Sequence, residues 1–250
     1  MANWSDPRTG ASPFAGAPAD TRSVTYDAGL RAYMLSVYNY MASGVLLTGI
    51  VAAVAARFGF TDAMIADGGR GLSALGWIVA IAPLGVVFAM SFGQSRMATG
   101  TLRALFWTYA VLMGLSLSTI FLSYNVGSIA GAFFATAAGF AGLSLWGYTT
   151  ERDLSGFGTF LIVGLVGILV ASLINVFLGS SVVNLVISIV GVLIFAGLTA
   201  YDTQRTKSLY SYVAGTDQVG RVVVMSALKL YLDFINMFLF ILRLFGSGRN

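Results

Sequence analysis

Seven runs of apolar residues dominate this chain, each close to the ~20 that a helix needs to cross the hydrocarbon core of a bilayer. They fall at about 33–57, 76–92, 104–123, 128–149, 158–178, 182–201 and 222–244. Hydrophobic residues make up 57% of the 250 and charged residues only 10%. That is too little charge to cover a soluble domain, where about 25% is usual. The sequence predicts an all-α polytopic membrane protein with seven transmembrane helices, in contact with the lipid bilayer over most of its surface.

The stretch before the first run, residues 1–30, reads differently. It holds three of the four prolines, Pro7, Pro13 and Pro18, among Gly, Ala, Ser and Asp. It has no basic start followed by a short apolar run, so it is not a signal peptide. It is predicted to be a flexible tail, with a single membrane domain over 31–250. The fourth apolar run is rich in small residues, and Gly131, Ala135, Ala138, Gly139 and Gly142 are expected to allow close helix packing.

Two absences narrow the chemistry. Without Cys there is no disulfide, thiolate nucleophile or thiol–metal site. Without His there is no Ser–His–Asp triad and no imidazole ligand or pH switch. Proton chemistry is left to carboxylates, Lys and Tyr. No enzymatic activity and no cofactor are expected. The net charge of +4 is modest and sits where topology explains it, so it implies no nucleic-acid partner.

The basic residues alternate between loops. Arg8, Arg22 and Arg31 precede the first run, Arg96 and Arg103 separate the second and third, and Arg152 follows the fourth. Arg205, Lys207 and Arg221 follow the sixth. The opposite loops hold only Arg57 and Arg70, offset by Asp62 and Asp67. The positive-inside rule therefore puts the N-terminus in the cytoplasm. The seventh run is compatible with a full span, which places the C-terminus outside, and with a re-entrant path, which keeps it inside.

Ionisable residues are absent from the third, fourth and fifth runs, and the seventh is the exception. Lys229, Asp233, Asn236, Phe240 and Arg243 follow spacings of 4, 3, 4 and 3. At ~100° per residue they project within about 80° of one another, over about 20 Å of helix. Lipid would penalise such a face by about 2.5–3.5 kcal/mol per charge near the bilayer centre. The face is therefore expected to turn inward, toward protein or a water-filled cavity. Lys229 and Arg243 have the length to snorkel to opposite interfaces; Asp233 does not. A second carboxylate, Asp202, ends the sixth run on a face shared with Thr199, Ser188 and Asn184. Arg96, closing the second run, is the nearest obvious cation for a buried carboxylate at that level.

Two aspartates on neighbouring helices suggest cation handling first. Carboxylates are hard oxygen ligands for Ca²⁺, and two side by side cannot easily both ionise, so they share a proton. Intramembrane aspartyl proteolysis would require Gly-x-Gly-Asp on the second helix and a later Pro-Ala-Leu. Here Leu230-Tyr231-Leu232 precedes Asp233, and no proline follows Pro83. A retinal protein would carry an Asp four residues before its Lys, whereas Asp233 lies four after Lys229.

Two motifs carry a resemblance. Leu198-Thr199-Ala200-Tyr201-Asp202-Thr203-Gln204, followed by Ala227-Leu228-Lys229-Leu230-Tyr231-Leu232-Asp233-Phe234-Ile235-Asn236 and closing on Phe240 to Gly246, resembles the Bax inhibitor-1 family of transmembrane Bax-inhibitor-motif proteins. The resemblance covers about 30–250 and suggests a bacterial member. It implies six helices surrounding a central seventh, and a pH-sensitive calcium leak of the inner membrane gated by Asp202 and Asp233, which would also touch the calcium. It implies that Arg96 pairs with these aspartates in one state; Met113-Gly114-Leu115-Ser116 in the third run sets that alignment. The alternative it implies is a non-transporting regulator that binds a membrane-bound AAA protease.

Overall fold

The computed structural model describes residues 19–66 and 71–247. In lipid every backbone polar group must be paired within the chain, and the long apolar runs meet that demand as helices: α1 (Ala19–Arg57), α2 (Phe60–Ala63), α3 (Ala74–Gly93), α4 (Thr99–Leu117), α5 (Ile120–Ser123), α6 (Val126–Thr149), α7 (Ser155–Leu178), α8 (Ser181–Val213) and α9 (Val219–Phe245). Among the described residues there is no strand beyond a single bridge between Ile65 and Leu72. Seven of the helical stretches are long and apolar enough to cross a membrane, α4 and α5 forming one of them.

Local chemistry sets the helix ends. Ser73, Asn125 and Ser180 precede α3, α6 and α8, and each accepts a hydrogen bond from the N–H three residues on, at Gly76, Ser128 and Val183. These three side-chain caps lie at one end of the bundle. α7 stops at Gly179, whose φ of 62° is the left-handed conformation that glycine adopts freely. The third apolar run is split between α4 and α5 where the Ser118 hydroxyl turns back to donate to the Leu115 carbonyl at 2.6 Å.

Three expectations need correction. α1 begins at Ala19, so residues 19–30 are helix and not tail; no proline follows Pro18 there to stop it. The rings of Tyr26 and Tyr33 pack at a tilt against Tyr210 of α8, at 5.2 and 5.3 Å between ring centroids, holding the start of α1 against the far reach of α8. The rest of the expected tail, 1–18, lies outside the described residues, as do Asp67 and Arg70. The sixth run continues as α8 for a further three turns beyond 201, through polar residues that hydropathy alone leaves out. The small-residue face of α6 is not a packing seam either. Gly131, Gly139 and Gly142 have open space where a side chain would go, and the close approach is at Gly147, whose added Cβ would strike the Ala200 backbone.

α9 is the central helix: 67% of its most apolar 18-residue stretch is buried, against 39% or less for the corresponding stretch of the other six spans. It packs on α1, α4, α6 and α8, while α3 and α7 attach mainly through α4 and α8. One side of α9 is fastened by a hydroxyl chain. Thr48 of α1 donates to the Ala110 carbonyl of α4 at 2.8 Å, and Tyr231 of α9 therefore donates to Thr48 at 2.6 Å. Around it Tyr109 and Tyr231 meet edge-on at 5.3 Å. At its end α9 reaches the start of α6, where the Ser247 N–H donates to Ser128 at 3.0 Å. α9 thus runs the full length of the bundle without turning back.

Candidate functional site

The bundle has a basic end, where α3 gives way to α4, α6 to α7 and α8 to α9. Its loops are tied by side chains. Lys207 donates to the Tyr148 carbonyl at 2.9 Å and lies over the Tyr148 ring. Gln204 clamps the α6–α7 link by donating to the Arg152 carbonyl and accepting from the Leu154 N–H, at 2.8 and 2.9 Å. In the same link the Asp153 carboxyl accepts from both the backbone and the hydroxyl of Ser155, which holds it below its usual carboxylate range.

From this end a cavity of about 660 Å³ enters between the α3–α4 turn, α8 and the first half of α9, lined by Gln94, Ser95 and Arg221 among others. The Arg221 guanidinium crosses it to donate to the Ser95 carbonyl at 3.4 Å. Deeper in the bundle is a second cavity of about 600 Å³, bounded by α7, α8 and α9, with Leu84 of α3 at its edge. We call these the vestibule and the chamber.

The α9 stripe faces the chamber. Lys229, Asp233, Asn236, Phe240 and Arg243 all line it, as the helical spacing predicts. Asp233 is 4% exposed, and its Oδ2 is buried with no hydrogen-bond partner. Burying a polar group unpaired is costly, so this carboxyl is held in place against its own preference by the packing of α9. Asn236 donates to the Leu232 carbonyl at 2.8 Å, leaving its amide oxygen as an acceptor. Arg243 lies over the Phe240 ring at 5.6 Å.

α8 brings the second carboxyl. Asp202 lies on the chamber wall, within reach of a side-chain hydrogen bond with Asp233. Two carboxyls can make that bond only when they hold a proton between them. The two aspartates singled out in the sequence are therefore neighbours in space. Arg96 is not with them: its side chain is exposed on the α3–α4 turn. The cation at Asp202 is Lys229, with Nζ 4.0 Å from Oδ1, and Arg205, one turn along α8, adds its charge. Both were legible as spacings, Lys229 four residues before Asp233 and Arg205 three after Asp202. A role for Arg96 at the pair requires the 94–96 turn to move inward.

Among the described residues no three metal-ligating side chains of the Asp, Glu, His or Cys type come together. Two carboxylates with a nearby amide make a sparse oxygen set for Ca²⁺, which takes six to eight ligands.

Comparison with known proteins places the chain in a family. The family profile described as "Inhibitor of apoptosis-promoting Bax1" matches residues 30–250. An uncharacterized protein of Rickettsia prowazekii is 44% identical over 231 residues, covering 92% of this chain and 95% of the relative. One from Caulobacter vibrioides is 44% identical over 239 residues, covering 93% and 95%. The inner membrane protein YbhL of Escherichia coli K12 is 42% identical over 230 residues, covering 89% and 94%.

Proposed function

We propose that this chain, which belongs to the Bax1-I family of membrane proteins, is a pH-sensitive calcium leak of a bacterial inner membrane, gated by the Asp202–Asp233 pair. The observation that carries the reading is the buried, part-unpartnered Asp233 carboxyl facing Asp202 on the wall of a membrane-level chamber. A charge-bearing group placed there at such cost is a functional site by default. The E. coli relative is named as an inner membrane protein, which supports the location, and the alternation of basic loops supports a cytoplasmic N-terminus.

The mechanism is a latch. With one proton shared, Asp202 and Asp233 hydrogen-bond and hold α9 against α8, and the path is closed. When the proton leaves, the two carboxylates repel each other and also become ligands, because a hard cation binds the deprotonated form. Separation of α8 and α9 then joins the chamber to the vestibule. Both effects have one sign, so calcium flux rises with pH.

The test is calcium entry into liposomes that hold the purified protein alone and an entrapped indicator. A leak gives entry above that of protein-free liposomes. A protein that acts only as a regulator of another, such as a membrane-bound AAA protease, gives none.

A further inference from the structure

We propose that the Lys229 ammonium is a tethered cation that occupies the ion position at Asp202 and seals the chamber from the vestibule. The inference rests on the leak reading of the same site and adds which side chain closes it.

Four residues line both cavities: Asp202, Arg205, Lys229 and Leu232. They are the partition between the two. Lys229 reaches from α9 across that partition to α8, and its Nζ stands 4.0 Å from Asp202 Oδ1. That distance is beyond the ~2.7–2.9 Å of a charge-assisted hydrogen bond, so the contact is electrostatic and not locked. The Lys229 side chain is 46% exposed and that of Asp202 13%. An ion pair that open contributes about 1 kcal/mol or less. The ammonium therefore screens the carboxylate and can be displaced by an ion of higher charge.

The charges around the chamber point the same way. Its wall carries the carboxyls of Asp202 and Asp233, and the cations Arg205, Lys229 and Arg243. With cations in excess, an arriving divalent ion meets net repulsion. Two of the three are held elsewhere. Arg205 donates to the Tyr201 hydroxyl at 3.3 Å, and Arg243 lies over Phe240. Lys229 is the cation paired with Asp202, and it also stands between the cavities, so its withdrawal both frees Asp202 and, with both carboxyls ionised, cancels the excess of cations. Once it leaves, Leu232 is the apolar remainder of the partition.

Two readouts test this, and the chain's lack of Cys makes the second clean. Lys229→Met removes the charge and keeps the length; Lys229→Gln is a second neutral variant, and Lys229→Arg keeps a charge. In liposomes at the alkaline plateau of the pH response, where the carboxyl pair is ionised with or without the Lys229 charge, calcium entry should rise about tenfold in the two neutral variants and not in Lys229→Arg. In a background carrying Asn236→Cys, whose side chain lines the chamber but not the vestibule, a charged membrane-impermeant thiol reagent is added from the Arg221 side. Labelling should likewise accelerate about tenfold when Lys229 is Met or Gln. If labelling and calcium entry are unchanged in monodisperse Met and Gln variants, Lys229 is not the seal, and calcium entry in the unsubstituted protein would still stand. If labelling accelerates while no variant passes calcium, the seal stands and the leak reading fails.

Discussion

Tyr231 and Asp233 are two residues apart on α9 and face opposite demands. Tyr231 is fully buried and satisfied, joined through Thr48 to the Ala110 carbonyl. Asp233 is nearly as buried, with one carboxyl oxygen unpartnered. The first is a fastening and the second is the group on which the proposed gate rests, and substitution should separate them. Tyr231→Phe should lower stability in detergent by about 0.6 kcal/mol, the average for a hydrogen bond between membrane helices, and by no more than about 1.7 kcal/mol. Thr48→Val should do the same, and the double variant should cost less than the sum, because the two share one bond. Additive losses in a thermal unfolding series would show that the hydroxyl chain is not a unit. The sequence exposed Asp233 through its helical spacing and its cost in lipid. It did not reveal Tyr231's partner, since Thr48 lies 183 positions away and nothing in local pattern links them. Lys229 fell between the two. Its place on the stripe was legible, but its length allowed snorkelling, and only the approach of α8 decides that it turns to Asp202.

Among the elements, α6 separates composition from contact most plainly. Its glycines and alanines suggested a packing seam along 131–142, yet that face has open space, and the tight crossing with α8 is at Gly147. Small residues permit close approach without dictating it; which face of α6 meets α8 depends on the whole bundle. Gly147→Ala should therefore destabilise by about 1–3 kcal/mol as an overpacking substitution. Gly139→Ala should cost nothing and gain up to about 1 kcal/mol of helix propensity. Equal melting temperatures for the two variants would overturn this account of the α6–α8 crossing. Helix ends had a similar limit. Hydropathy marks where lipid stops, not where hydrogen bonding stops, so α1 and α8 both run past their apolar runs into polar sequence. There the Tyr26, Tyr33 and Tyr210 rings pack together.

For the molecule as a whole, the central position of α9 follows from a conflict in its own composition. One face carries ionisable groups that lipid rejects, and the remainder is apolar enough to pack on α1, α4 and α6. Enclosure by the other helices satisfies both, and it places the charged stripe against a cavity. Because α9 runs the full length of the bundle, its two ends lie at opposite ends of it. With the basic end in the cytoplasm, a reporter in the 214–218 turn should be active in the cytoplasm and one after Ser247 outside it; the reverse result would invert the topology. The central claim is that Asp202 and Asp233 share a proton that closes a calcium path. The most direct measurement is calcium entry into liposomes of the purified protein across a pH series, for the unsubstituted chain, Asp202→Asn and Asp233→Asn. The account predicts entry that rises with pH within a unit or two of neutral, and loss of most of that dependence in both variants, because a shared-proton equilibrium needs two titratable groups. A full pH response in both Asn variants would contradict it.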